Sequence, residues 1–150
     1  GLNIDSVPTM QEIPIQSVVA EAENISLSLA TTSKNDDGEK RTVAQTSAKG
    51  FAWSGGGRAI IRVDVSANKG LSWQTATLKE GADQPLSKAW AWTFWEIDDL
   101  EIDASKLKPG DEIKVLVKAV DASYNAQPEG AAAIWNLRGL NNNSWHAVHR

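Results

Sequence analysis

One arginine, set in an apolar segment that contains glycine, is the residue of this sequence best placed to do chemistry. The segment Ile134-Trp135-Asn136-Leu137-Arg138-Gly139-Leu140 carries Arg138 outside any run of charge. A guanidinium stays charged at every physiological pH, and its planar fork of donors matches an oxyanion. Trp135 stands three positions earlier, within stacking range of the guanidinium, and Gly139 lets another backbone or domain come close. The residues alone leave two readings open: a structural arginine paired with an acidic neighbour, or a contact for a small oxyanion.

Other groupings are weaker. His146 and His149 are three apart, which on a strand puts them on opposite faces and makes a poor metal pair. Asp98, Asp99, Glu101 and Asp103 form an acidic run that reads as a solvated turn rather than an acid–base pair. No serine sits in a recognisable triad motif. The Gly55-Gly56-Gly57 run lacks the Lys-Ser/Thr of a phosphate loop. The sequence holds no cysteine, which excludes disulfides and thiolate metal ligation.

The elements that must position Arg138 are strands. Residues 1–14 are polar with two prolines and read as a linker; residues 15–150 read as one domain. Strands are expected over 15–20, 42–53, 58–66, 73–78, 89–97, 112–120 and 143–149. In the third, Ala59, Ile61, Val63 and Val65 share one face, opposite Arg62, Asp64 and Ser66. In the sixth, Ile113, Val115, Val117 and Ala119 line one face. Ala67-Asn68-Lys69-Gly70 is expected to turn a hairpin, with Asn68 and Gly70 supplying left-handed conformations. Ser33 to Arg41 reads as a solvated loop and Pro109-Gly110 as a turn. No stretch has a helical period. These signals predict an all-β fold, an immunoglobulin-like antiparallel β-sandwich of about seven strands.

Trp90, Trp92 and Phe94 fall on one face of their segment, and Trp95 and Ile97 on the other. Both faces are apolar, so the outer one packs against a covering loop, a protein partner or a second copy of the chain. Seven tryptophans against one tyrosine and two phenylalanines fit a core plus an interface. A net charge of −4 argues against nucleic acid, and no apolar run spans a bilayer. The start at Gly1, without Met or a signal peptide, reads as excision from a longer chain.

Taken in order, several segments resemble the C-terminal dimerisation domain of the sulfite oxidase family of molybdenum oxidoreductases. They are Lys49-Gly50-Phe51-Ala52-Trp53-Ser54-Gly55-Gly56-Gly57-Arg58, Arg62-Val63-Asp64-Val65-Ser66, Lys88-Ala89-Trp90-Ala91-Trp92-Thr93-Phe94-Trp95, Lys118-Ala119-Val120-Asp121, Tyr124-Asn125-Ala126-Gln127-Pro128, Ile134 to Gly139, and Ser144-Trp145-His146. The resemblance implies a domain that pairs subunits, with no catalysis and no cofactor of its own. An upstream domain of the parent would hold molybdenum–molybdopterin through its own cysteine, and haem could carry electrons onward. The parent would oxidise sulfite to sulfate, and Arg138 would complete its anion pocket. Trp90, Trp92, Phe94 and Gly139 become the interface candidates for a homodimer. Animal members imply the mitochondrial intermembrane space. Two alternatives stand beside this: the same domain from a eukaryotic nitrate reductase, where Met usually replaces Arg138 but which the Asn141-Asn142-Asn143 run resembles, or a free-standing immunoglobulin-like binding or adhesion module.

Overall fold

The computed structural model describes residues 6, 9–23, 30–34, 40–108 and 111–150. The Pro109-Gly110 turn and the centre of the charged 33–41 loop lie outside the described residues; the ends of that loop belong to strands. The strands are β1 (Gln16–Ala22), β2 (Thr31–Lys34), β3 (Lys40–Trp53), β4 (Ile60–Ser66), β5 (Gln74–Thr75), β6 (Thr77–Leu78), β7 (Thr93–Asp103), β8 (Lys114–Asp121) and β9 (His146–His149). One sheet runs β1-β3-β7-β6, with β2 also paired to β3; the other runs β5-β4-β8-β9. Every pairing is antiparallel. The architecture is the expected immunoglobulin-like sandwich.

The core lies between the sheets because alternate residues face inward. Val115, Val117 and Ala119 of β8 are buried as their spacing predicts, with Ile113 just before them. They meet Val63, Val65, Ala52 and Leu100 around Trp95, which is 1% exposed. Gly50 pairs with Trp95 across β3 and β7. A Cβ at Gly50 would overlap the Val18 carbonyl oxygen and lie 2.7 Å from Trp95 Cζ2, so only glycine lets the indole pass.

Three strand expectations need correction. In β4 the register shifts between Ile60 and Arg62. This bulge turns Ile60 inward (4% exposed) and Ile61 outward (39%), which strict alternation cannot foresee. The returning strand at 73–78 divides at Ala76, where the Ala76 N–H donates to the Val63 oxygen at 2.9 Å; β5 stays in one sheet and β6 crosses to the other. The strand expected from Ala89 begins at Thr93, leaving Trp90 and Trp92 in the preceding loop. It runs on to Asp103, so the acidic residues 98–103 lie on β7, not on a turn.

The β4–β5 hairpin also differs in detail. Lys69 (φ 63°) and Gly70 (φ 85°) take the left-handed conformations. Asn68 contributes its side chain instead: Oδ1 accepts the Ser72 N–H at 2.9 Å and Nδ2 donates to Ser72 Oγ at 2.7 Å.

Parts of the sandwich edges are tied by the chain itself. Where β1 and β9 approach, the Val19 N–H donates to His146 Nδ1 at 3.2 Å, and Arg150 Nε donates to the Ala22 oxygen at 3.0 Å. On the other side the chain itself crosses between sheets at Ala76. Covered edges of this kind resist strand-to-strand association and leave faces and loops for contact.

Candidate functional site: the loop pole

β1, β4, β7 and β9 begin, and β3 and β8 end, at one pole of the sandwich. The connections gathered there are residues 54–59, 79–92 and 122–145. The chain also arrives there: the Gly55 N–H donates to the Ile13 oxygen at 2.9 Å, and Arg58 Nη1 pairs with Glu12 at 2.8 Å. Gly56 and Gly57 have φ of 67° and 72°. A side chain at Gly55 would overlap Ile13. The glycine run therefore serves both a left-handed turn and a close approach.

A buried carboxylate ties this pole together. Asp121, the last residue of β8, is 0% exposed. It accepts Ser54 Oγ at 2.7 Å, Arg58 Nε at 3.3 Å, Asn125 Nδ2 at 3.0 Å, and the Ser123 and Asn125 N–H groups at 2.9 and 3.1 Å. Burial pushes its pKa up, but the hydrogen bonds from Asn125, Ser54 and Ser123 outweigh that and hold it below the ordinary value. The sequence reading missed this role. Its signal was an Asp closing an apolar strand, with donors two and four residues later.

Gln127, also buried, fixes the base of the long loop. Its Oε1 accepts Ser17 Oγ at 2.5 Å and the Ala119 N–H at 3.0 Å; its Nε2 donates to the Asn143 and Ser144 oxygens at 3.0 and 3.2 Å. Asn143 Nδ2 donates to the Ile15 oxygen at 3.1 Å. Buried polar groups satisfied this fully specify one arrangement.

Between those fixed ends Ala131–Ile134 makes a 3-10 turn and the chain projects outward. Trp135, Leu137 and Leu140 are all exposed. Arg138 is exposed too, and among the described residues its side chain has no ion pair or ring contact. The stacking on Trp135 that the spacing allowed does not form: the described cation–π contacts are those of Lys118 Nζ with Trp73, at 3.9 Å, and Trp145, at 5.4 Å. A Cβ at Gly139 would meet nothing within 4 Å.

An aromatic patch lies beside the same pole. Trp92 stacks on Phe51 at 4.5 Å and 10°, Trp53 stands 5.9 Å from both, and Phe94 meets Phe51 edge-on at 6.4 Å. Trp90, Trp92 and Phe94 are exposed, as is Tyr124 on the neighbouring loop, whereas among the described residues Leu71 is a large exposed apolar residue of the opposite pole. Further along the sheet the patch gives way to the ion pairs Lys49–Glu21 and Lys79–Glu96.

His146 and His149 do not come together. His146 accepts from Val19, and His149 Nδ1 lies 3.5 Å from Glu112. Among the described residues no group of three or more His, Cys, Asp or Glu side chains is placed to hold a metal ion. The sequence holds no cysteine, so it offers no thiolate ligand.

Comparison with known proteins supplies the family context. The model of the Mo-co oxidoreductase dimerisation domain matches residues 7–150. The mitochondrial sulfite oxidases of Mus musculus and Homo sapiens are 44% and 43% identical over 148 residues, which is 99% of this chain and 24% of each relative. The nitrate reductase [NAD(P)H] of Hordeum vulgare is 40% identical over 104 residues, 67% of this chain and 10% of that protein. The chain thus spans about a quarter of the length of the sulfite oxidases it matches.

Proposed function

Because the chain belongs to the family of Mo-co oxidoreductase dimerisation domains, we propose that it pairs the subunits of a molybdenum-dependent sulfite oxidase and lends Arg138 to the parent's anion pocket. The domain alone would be inactive. Residues 1–14 would link it to an upstream molybdopterin domain. Where the parent works is proposed from relatives named as mitochondrial, with the intermembrane space as the finer assignment.

The observation that carries the Arg138 role is its lack of an internal partner. A structural arginine needs an acidic neighbour, and none pairs with it among the described residues. It stands instead at the tip of a loop whose base is held by buried hydrogen bonds. Sulfite is a small oxyanion, and a fixed guanidinium suits it. For the dimer, the exposed aromatic face with Trp90, Trp92 and Phe94, and the open position at Gly139, are the candidate surface. A two-fold pair would use the same patch on both copies and bury more than roughly 1,000 Å².

The nitrate reductase reading is kept because a relative of that name matches over 104 residues; the arginine at position 138 favours sulfite. The test is kinetic, in the full-length parent assayed with sulfite and with nitrate. Arg138→Gln should lower kcat/KM for sulfite roughly ten- to a hundred-fold, the value of one charge-assisted contact. Unchanged kinetics would remove Arg138 from the pocket, and turnover of nitrate alone would transfer the domain to the other enzyme.

A further inference from the structure

We propose that Asn136 is the positioning residue for Arg138, an inference that rests on the reading of Arg138 as an anion contact. The Asn136 side chain folds the loop tip around itself. Its Oδ1 accepts the Arg138 N–H at 3.2 Å and the Leu140 N–H at 3.1 Å. Its Nδ2 donates to the Leu140 oxygen at 2.7 Å and the Ile134 oxygen at 3.4 Å. Its own carbonyl accepts the Gly139 N–H at 3.1 Å. The peptide groups on both sides of Arg138 are thereby fixed, with Gly139 (φ 64°) and Asn141 (φ 58°) left-handed to complete the turn.

This matters because nothing in the described chain holds the guanidinium itself, so the backbone alone aims it. A backbone ordered before the anion arrives leaves the contact energy for the anion, and a misplacement of about 1 Å can cost up to a hundred-fold in rate. Asn136 is exposed, and the base of the loop is secured separately by Gln127 and Asn143. Replacing Asn136 therefore loosens the tip without opening the domain.

The test uses the full-length parent enzyme with sulfite as substrate. Asn136→Ala should lower kcat/KM for sulfite about tenfold, chiefly through KM, because aim rather than chemistry is lost. Asn136→Ser, which is neutral and keeps an acceptor for the N–H two residues on, should recover part of that loss. In the Arg138→Gln background, Asn136→Ala should have no further effect, since paired residues are not additive. Amide exchange across 136–141 should accelerate in Asn136→Ala. Equal losses in the two backgrounds would show a general structural role and overturn the proposal, as would unchanged exchange. Faster exchange with Arg138→Gln kinetically silent would support the hold of Asn136 on the tip while overturning the anion contact it depends on.

Discussion

The Ser54 hydroxyl donates to the Asp121 carboxylate at 2.7 Å across 67 residues of chain. Ser54 follows β3 in one sheet, and Asp121 ends β8 in the other. The bond therefore pins the two sheets together at the pole where the long connecting loops start. Arg58, through its second bond to Glu12, ties the incoming chain to the same point.

Asp121→Ala should destabilise the chain by about 2–4 kcal/mol, because Ser54 keeps a buried donor without an acceptor, the loop donors of Ser123 and Asn125 lose theirs, and Arg58 loses its inner partner. Asp121 has a folded pKa below its ordinary 3.8. Its stabilisation is whole above that value and is lost as pH falls through the folded value. Urea midpoints measured from pH 6 downward should show a steeper acid loss for the native sequence than for the variant. Parallel curves would mean that the carboxylate is not charged in the fold.

His146 gives a second pH dependence, nearer neutrality. Burial holds its pKa below 6.5, and its neutral Nδ1 is the acceptor for the Val19 N–H. Protonation would set a donor against a donor. The stabilisation is complete above the unfolded value of 6.5 and declines as pH drops through the lowered folded value. The imidazole should titrate below 6.5 by NMR, and His146→Ala should be less stable at pH 7 yet flatter between about pH 7 and 5. A folded pKa above 6.5 would contradict the buried, accepting imidazole.

Two glycines should separate folding from docking. Gly50→Ala forces a Cβ onto the Val18 oxygen and the Trp95 ring, and should cost about 2–3 kcal/mol or more through overpacking. Gly139→Ala meets open space and should cost only about 1 kcal/mol for its left-handed φ. If Gly139 lies in an interface, its substitution should weaken self-association more than it lowers the unfolding midpoint. Comparable losses for the two variants in denaturation would refute the packing account of Gly50.

What could be read from the sequence was whatever depends on period-two alternation. Val115, Val117 and Ala119 needed only their spacing, because β8 is regular along its buried face. Ile60 and Ile61 defeated the same rule because the extra residue of a bulge breaks the alternation locally, while Val63 and Val65 beyond it keep the predicted face. Thr77 and Leu78 pair with a different sheet from Gln74 and Thr75, a choice made by tertiary contacts at Ala76 and invisible locally. Arg138 stood out by residue type and neighbours. The groups that support it, Asn136 and Gln127, did not, since an amide reveals its role only through the backbone groups it meets.

The aromatic patch gives the most direct test of assembly. Trp92 and Phe94 are exposed yet lie against Phe51, so replacing both with serine should cost the monomer only about 1–2 kcal/mol of lost ring contacts. If the patch is the two-fold contact, each ring is used twice in the dimer, and central aromatic residues of interfaces are worth about 2 kcal/mol or more. The variant should then be monomeric by light scattering at micromolar concentrations where the native chain is dimeric. Leu71→Ser, at the opposite pole and 88% exposed, should leave the dimer intact. If Leu71→Ser dissociates the pair and the double variant does not, the two-fold axis passes through the other end of the sandwich, and the aromatic patch is not the contact.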